Sequence, residues 1–328
     1  MTRLSICIAT FNRGAFLGET LASVVEQLRD GVEIVIVDGG STDATADVIA
    51  AWQARCPAIR YVRQATNGGV DRDYARAVEL AQGRYCWLFT DDDLLLPGAV
   101  DAVFEAIDDG PALVIVNAEV WDATFEHCAD ANRLRIAADR RYERGQDDAL
   151  LADTGRYLTF IGGVVVRRDV WEARAKEPYF GSLFIHVGVL FQSPLPAHAK
   201  ALARPGIRIR YGNAGWTPRA FEVWMFKWPE LVWSLPRAAA AKRRLTAREP
   251  ARNPLQLLIH RAAGSYDAEQ YRRWLAPRAR GAWRVLAAIV AHIPRRPLNA
   301  LLRAALAAIG FGHRTTAIDL RNAPWRRR

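Results

Sequence analysis

The sequence predicts an α/β fold with a mainly parallel sheet flanked by helices, and three observations carry that prediction. Short apolar segments alternate with amphipathic helical ones from Leu4 to Asn117. Leu4–Thr10, Val32–Asp38 and Tyr85–Phe89 are almost continuously apolar, the pattern of strands covered on both faces. Polar and acidic residues gather at the carboxyl ends of those segments, where open α/β sheets bind their ligands.

Each element follows in order. Leu4–Thr10 is a first strand, and Phe11-Asn12-Arg13-Gly14 turns it into a helix with Leu17, Leu21, Val24, Val25 and Leu28 on one face. Val32–Asp38 is a second strand. It ends in Asp38-Gly39-Gly40-Ser41-Thr42-Asp43, where glycines allow tight turns and Ser41, Thr42 and Asp43 are good helix caps. Ile59–Arg63 is a short third strand. Asn67-Gly68-Gly69 opens a helix with Tyr74, Ala77, Val78 and Ala81 along one side, closed by Gly83. Next come the Tyr85–Phe89 strand, a helix from Pro97 to about Ile107 and a strand Leu113–Asn117. This alternation implies right-handed βαβ units.

Residues 118–158 have weak periodicity and read as an excursion at the sheet edge. Thr159–Arg167 is a strand leading to a helix around Val170–Ala175. Gly181–Phe191 carries His186, and Ile207–Tyr211 is a last strand before Gly212-Asn213-Ala214-Gly215-Trp216. Beyond Arg219 the pattern is helical and rich in Trp, Ala and Arg. Leu298, Leu301, Leu302, Ala305, Leu306 and Ile309 form an apolar stripe there at helical spacing. The expected organisation is one α/β domain over residues 1–218, made of halves 1–117 and 118–218. A basic helical extension over residues 219–328 follows it.

The chemistry concentrates in Tyr85–Pro97, a strand that runs into Asp91, Asp92 and Asp93. Three adjacent carboxylates do not all ionise without a cation or strong donors to compensate. Hard divalent ions such as Mg²⁺ or Mn²⁺ want such oxygen ligands, together with substrate phosphates. The alternative is a solvated acidic turn capping the next helix. Asn67-Gly68-Gly69 adds a helix N-terminus whose N–H groups suit an anion. No GxGxxG follows the first strand and no GxxxxGK[ST] occurs, so dinucleotide and P-loop readings fail.

Composition sets the frame. Hydrophobic residues at 51% and charged ones at 24% of 328 are ordinary for a globular chain. The net charge of +10 is unevenly spread. From Arg237 onward there are 20 Lys+Arg against 4 Asp+Glu, a net of +16, which leaves −6 for the preceding residues. A basic tail of that kind suits an anionic partner. Nucleic acid is disfavoured because no recognised binding motif accompanies the charge. Cys7, Cys56, Cys86 and Cys128 show no CxxC spacing, which fits a reducing compartment. Leu4–Ala9 is too short for a signal peptide core, and no apolar run of about 18 residues spans a bilayer.

SICIATFNR, EIVIVDGGSTD, NGGVDRDYARAVELAQGRY and CWLFTDDDLLLP, in this order and spacing, resemble the family 2 glycosyltransferases with the GT-A fold. With GSLFIHV added, the likeness is greatest to the abequosyltransferase-type members that build bacterial O-antigen repeats. The resemblance covers roughly the first 100 residues. It implies that Thr10, Phe11 and Asn12 contact the nucleotide, that Asp38 contacts base or ribose, and that Arg13 lies near the diphosphate. Asn67 and Gly68 join that nucleotide-sugar set, as does Asp91. By resemblance the metal-binding aspartate is Asp92, helped by Asp91 and Asp93, although Thr90 stands where many members carry another Asp. Many members also read Asp-Asp-Gly-Ser where this chain has Asp38-Gly39-Gly40-Ser41. Losing a carboxylate that accepts the N3–H of uracil or thymine is compatible with a CDP-sugar, such as a CDP-deoxyhexose.

Many members have a Glu-Asp pair on the acceptor side, where this chain offers Gly181-Ser182-Leu183-Phe184-Ile185-His186. His186 has an unperturbed pKa near ~6.5 that suits a general base; the alternative is that it positions the acceptor or makes a structural hydrogen bond. Asp71 and Asp73 are either partners of the helix dipole or donor-sugar contacts. Trp216 either stacks on an acceptor sugar or belongs to the core. The function implied is transfer from a nucleotide sugar to a glycan, lipid-linked or free. The location implied is cytoplasmic, peripheral on the inner face of the bacterial membrane; the basic tail with its Leu298–Ile309 stripe either lies on an anionic leaflet or forms a helical subdomain packed on the catalytic domain. The alternatives are a sugar-nucleotide-forming nucleotidyltransferase and a non-catalytic sugar-binding module.

Overall fold

The structure, a computed structural model, describes residues 2–213, 217–309, 314–321 and 323. The chain divides into two compact units. One comprises Met1–Val120, Asp130–Arg210 and Ser234–Leu245; the other comprises Trp121–Ala129, Tyr211–Trp233 and Thr246–Arg328.

The first unit is built on β1 (Leu4–Thr10), α1 (Gly14–Val25), β2 (Val32–Asp38), α2 (Thr45–Gln53), β3 (Ile59–Arg63), α3 (Val70–Leu80) and β4 (Tyr85–Phe89). These four strands end where the sequence pattern places them. β1, β2 and β4 bury nearly every side chain, which accounts for their continuous hydrophobicity. Parallel pairing sets Thr10 beside Asp38 and Ile8 beside Phe89, so the polar ends of three strands emerge at one edge. α1 buries Leu17, Leu21 and Val24, as its periodicity requires.

Then follow β5 (Leu94–Leu95), α4 (Ala99–Ile107), β6 (Leu113–Trp121), β7 (Cys128–Asp130), β8 (Arg140–Tyr142), α5 (Asp147–Thr154), β9 (Val164–Arg167), α6 (Arg168–Glu172), α7 (Ile185–Phe191) and β10 (Ala199–Arg210). The sheet runs β3-β2-β1-β4-β9-β6-β10-β5, with β7 on β6 and β8 on β10. It is parallel from β3 to β4, whereas β9 runs antiparallel to both β4 and β6. The parallel arrangement therefore holds for β3, β2, β1 and β4, whereas β9, β5 and β8 pair antiparallel with their neighbours.

Three expected strands differ in extent, and the first, Leu113–Asn117, continues to Trp121 as the nine-residue β6. Thr159–Arg167 is extended only from Val164, because two 3-10 turns precede it. A Cβ at Gly163 would lie 2.6 Å from the Tyr157 hydroxyl, so the chain packs there too closely for a strand side chain. Of the expected Ile207–Tyr211 strand, residues 207–210 are the end of the twelve-residue β10, which begins at Ala199, and Tyr211 lies just past it. Arg204-Pro205-Gly206 reads as a turn, yet Pro205 falls between the stretch that pairs β8 and the one that pairs β5.

Beyond Arg219 the chain is helical, as expected. α8 (Ala220–Glu222) continues through a π turn into α9 (Trp228–Ser234); α10 (Ala239–Leu245) belongs to the first unit. α11 (Pro254–Ala263), α12 (Ala268–Gln270), α13 (Gly281–His292), α14 (Arg295–Ile309) and α15 (Arg314–Arg321) complete the second. Its core joins Phe221, Phe226, Leu257, Tyr266 and Ala287, and the Tyr266 hydroxyl donates to the Ala287 carbonyl at 2.9 Å.

The apolar stripe of α14 packs on protein. Leu298, Leu302 and Leu306 meet Ala262 of α11 and Leu320 of α15, while Leu301 is 66% exposed. Asn299 lies on the buried side. Its amide donates to the carbonyls of Ala262 at 3.2 Å and Leu320 at 2.9 Å, tying three helices together. Asn299→Ala strips both carbonyls of their donor in a dry site and should destabilise this unit by about 1–3 kcal/mol. Urea unfolding followed by tryptophan fluorescence measures the loss; an unchanged midpoint would mean that the amide contributes nothing.

Candidate active site

The crevice begins at the ends of β1 and β2. Asn12 takes the left-handed conformation, φ 56°, and is held there from both sides. Its N–H donates to Ser41 Oγ at 2.8 Å and its Oδ1 accepts from the Thr42 N–H at 2.8 Å. The Arg13 N–H donates to Thr45 Oγ1 at 2.9 Å. Thr10 is buried, whereas Phe11 is 42% exposed and turns an aromatic face outward.

Asp38 is fully buried and well supplied with donors. Its Oδ1 accepts from the Ser41 N–H at 2.8 Å and the Ser41 hydroxyl at 2.6 Å. Its Oδ2 accepts from the Tyr61 hydroxyl at 2.8 Å, with Arg63 Nε 3.9 Å away. Burial, together with that bond to a carboxylate, pushes the Tyr61 hydroxyl up to about 12.

The acidic triplet splits into two parts. Asp91 and Asp92 face Arg13: Nη2 lies 3.1 Å from Asp92 Oδ2 and Nε lies 3.6 Å from Asp91 Oδ1. Burial pushes Asp91 up to about 7, the neighbouring Asp92 charge adds to this, and Arg13 works against it. Asp93 turns the other way, accepting from the Thr90 hydroxyl and from the Arg210 N–H at 2.7 Å. Arg210 also donates from Nε to the Asp92 carbonyl at 3.1 Å and pairs with Glu19. Among the described residues, no three His, Cys, Asp or Glu side chains converge on one point suited to an ion. Asp91 and Asp92 do offer a hard two-carboxylate set on the open side, which fits a divalent ion completed by phosphate oxygens.

On α3, Asp71 and Asp73 have separate surroundings. Asp71 accepts the Leu183 N–H at 2.9 Å and the Ile185 N–H at 3.2 Å, so it clamps the start of α7 from 112 residues away. The clamp holds Leu183 at φ 70°, a strained conformation that persists only under such constraint. At the other end of α7, the buried Arg174 donates to the carbonyls of Val189, Ser193 and Pro194 at 2.8, 3.2 and 2.8 Å. Asp73 is buried; burial and then the Asp38 charge raise its pKa to about 6. Asn67 stands in the loop before α3, where its Oδ1 accepts the Gly69 N–H at 2.8 Å, and Gly68 follows it. A cavity of about 610 Å³ runs along α3, lined by Gln64, Thr66, Arg72, Asp73, Lys176 and Phe180.

His186 sits inside α7 and is buried, unlike a freely titrating imidazole. Nε2 lies 2.7 Å from the Leu158 carbonyl, which only accepts, so Nε2 carries the hydrogen and Nδ1 keeps its lone pair. That Nδ1 is buried and has no hydrogen-bond partner. Burial lowers the pKa to about 4 despite the opposing pull of Leu158. Trp216 lies outside the described residues. Sequence reasoning missed Ser41 and Tyr61 on Asp38, Arg210 behind Asp93, and the Asp71 clamp. None of these has a local signature, because each partner lies in another element.

Residues 5–169 match the family described as Glycosyl transferase family 2, which is half of the chain. The chain belongs to glycosyltransferase family 2. It is 26% identical over 198 residues to an abequosyltransferase of Salmonella typhimurium, covering 57% of this chain and 60% of that protein. It is 30% identical over 118 residues to a GalNAc(5)-diNAcBac-PP-undecaprenol beta-1,3-glucosyltransferase of Campylobacter jejuni, covering 36% and 38%. The matched part is thus less than two thirds of either relative. Two solved structures share the fold. TarS of S. aureus in complex with UDP-GlcNAc has a TM-score of 0.59 at 15% identity, covering 98% of this chain and 89% of that one. A mannosyltransferase from Pyrobaculum calidifontis in complex with GDP-Man and Mn²⁺ has a TM-score of 0.54 at 18% identity, covering 98% and 85%. The α/β sheet with its flanking helices is the GT-A architecture of family 2.

The buried imidazole makes stability acid-sensitive. His186 has its folded pKa depressed, so its stabilising contribution is present above about 6.5 and is lost as pH falls toward 4, by up to ~1.4 kcal/mol per pH unit. His186→Gln keeps a donor for Leu158 and should flatten the pH dependence of the denaturation midpoint across that window. An unaltered slope would mean that His186 is accessible and titrates normally.

Proposed function

We infer that the protein transfers a glycosyl group from a nucleoside diphosphate sugar to a glycan hydroxyl in the assembly of bacterial surface polysaccharide. The supporting observation is the meeting of three strand ends at one edge, with the Asp91–Asp92 pair opposite Arg13. Phe11 offers an exposed face for a base to stack on. Arg13, anchored at its backbone by Thr45, is placed for a diphosphate. Asp92 and Asp91 would hold Mg²⁺ or Mn²⁺, with Asp93 fixing the turn from behind; the ion would neutralise charge on the departing diphosphate. Displacement from Arg13 would leave the guanidinium to the phosphate oxygens.

The acceptor hydroxyl needs a base. His186 Nδ1 is an unpartnered lone pair on a helix clamped at both ends; because it is buried, it would take the hydroxyl proton only once acceptor binding opens a path to α7. Leu158 fixes the tautomer that leaves Nδ1 free of hydrogen. A CDP-sugar, such as a CDP-deoxyhexose, is the donor favoured by Gly39 in place of a second Asp and by the likeness to an abequosyltransferase. A lipid-diphosphate-linked glycan is the acceptor that suits a basic, surface-bound chain.

The reading is tested by incubating CDP- and UDP-sugars with the protein, Mn²⁺ and a lipid-linked glycan, and by following nucleotide release. Turnover is expected only with acceptor present, which also separates transfer from nucleotide-sugar synthesis and from simple sugar binding. Asp92→Ala should abolish turnover and metal-dependent nucleotide binding with the fold intact. His186→Ala should lower kcat about 10²–10⁴-fold with little change in donor affinity. Full activity of Asp92→Ala would sink the metal assignment. A rise in acceptor KM alone would make His186 a positioning residue.

The second unit suits attachment to an anionic membrane surface on the cytoplasmic side. No helix among the described residues is long and apolar enough to cross a membrane. On α13, however, Val285 and Ile289 are 59% and 58% exposed one turn apart, with Leu286 beside them and Arg280 and Arg284 close in sequence. From residue 270 to residue 318 the sequence carries nine arginines and no acidic residue. An exposed apolar helix face in such a setting suits an anionic leaflet. The protein should sediment with vesicles containing anionic lipid and release as salt rises, because surface attraction is screened over ~8 Å at physiological ionic strength. Val285→Glu with Ile289→Glu should abolish sedimentation and spare turnover of a water-soluble acceptor. Equal sedimentation of wild type and variant would end this part of the reading.

A further inference from the structure

The β2–α2 loop raises the question of why position 39 is glycine. Its backbone does not demand one, since Gly39 is absent from the residues with positive φ, unlike Gly40 at φ 84°. Space demands it. A Cβ at Gly39 would lie 2.9 Å from Asp73 Oδ2, while its next neighbours, Asn67 Cγ and Oδ1, would be at an ordinary 3.6 Å. The carboxyl group of Asp73 thus reaches across from α3 into the volume that a side chain on residue 39 would fill.

Asp73 also differs from the other carboxylates around it in what satisfies it. Asp38 takes three hydrogen bonds from Ser41 and Tyr61, and Asp71 takes two backbone N–H groups. Asp73 is 4% exposed and lines the cavity along α3, and its carboxyl group has neither a hydrogen bond nor an ion pair among the described residues. A buried carboxyl group without a donor is costly to the fold. Its surroundings lack a donor that a ligand with an N–H or O–H group would bring.

We propose that Asp73 is the carboxyl group that reads the nucleoside of the donor, delivered from α3 into the gap beside Asp38 that Gly39 leaves open. It accepts a hydrogen bond from the base edge or the ribose hydroxyls of a pyrimidine nucleoside diphosphate, while Asp38 holds the loop. This rests on the glycosyl-transfer reading and assigns the donor contact within it. The raised pKa agrees with a carboxyl group short of donors.

The test is calorimetric titration of the full chain with CDP, UDP and inorganic pyrophosphate, each with Mg²⁺, for wild type, Asp73→Asn, and Asp73→Ala combined with Gly39→Asp. Asparagine keeps the volume against Gly39 and removes the acceptor pair. Asp73→Asn should weaken the preferred nucleoside diphosphate roughly 10- to 100-fold, leave pyrophosphate unchanged, and fold at least as stably as wild type. The double variant, carrying its carboxylate on β2's side of the gap, should recover most of the affinity. Nucleoside diphosphate binding by Asp73→Asn within twofold of wild type overturns this inference alone. Equal losses for pyrophosphate, or a lowered melting temperature in Asp73→Asn, overturn it in favour of a structural role. A wild type that binds no nucleoside diphosphate overturns the glycosyl-transfer reading and this inference with it.

Discussion

Carboxylate compensation at the carboxyl ends of β2 and β4 is the constraint on which the rest of the first unit depends. Six aspartates at these ends or on the neighbouring α3 are buried or nearly so, where an uncompensated negative charge is costly. Asp38 is neutralised by Ser41 and Tyr61, Asp93 by Thr90 and Arg210, and Asp71, on the neighbouring α3, by the N–H groups that start α7. These are the groups that build the crevice. Asp91 and Asp92 face Arg13, and among the described residues the Asp73 carboxyl group has no hydrogen bond.

The same constraint explains the placement of α7. A helix of only seven residues has little intrinsic stability, yet it carries His186 and is held by Asp71 at one end and Arg174 at the other. Two charged groups, each spending its hydrogen bonds on backbone, fix an imidazole whose Nδ1 stays unpaired. Rigidity of this kind fixes the orientation of the buried imidazole.

Much of the fold was legible in the sequence, and the reason is local. β1, β2 and β4 matched their apolar runs to the residue, since parallel strands buried on both faces carry a signal in every position; the edge strand β3 also matched, although only Ile59 of it is buried. β10 was half hidden, because Pro205 and Gly206 look like a turn until the partners on either side are known. The α14 stripe was legible as amphipathic but not in its destination, as Asn299, polar by type, bonds two carbonyls inside. At the site, the strand-end positions of Thr10, Asp38 and Asp91–Asp93 could be read from spacing. The Asp71 clamp and the contact between Gly39 and Asp73 could not, because they join residues far apart in the chain and depend on tertiary geometry alone.

The most direct test of glycosyl transfer is a product analysis by mass spectrometry. Protein, Mn²⁺ and a mixture of pyrimidine nucleotide sugars are incubated with a bacterial lipid-diphosphate-linked glycan. The expected result is a lipid-linked product heavier by one sugar residue, together with one equivalent of the matching nucleoside diphosphate. Nucleotide sugars left intact beside an unmodified acceptor, across the whole donor mixture, would contradict the account.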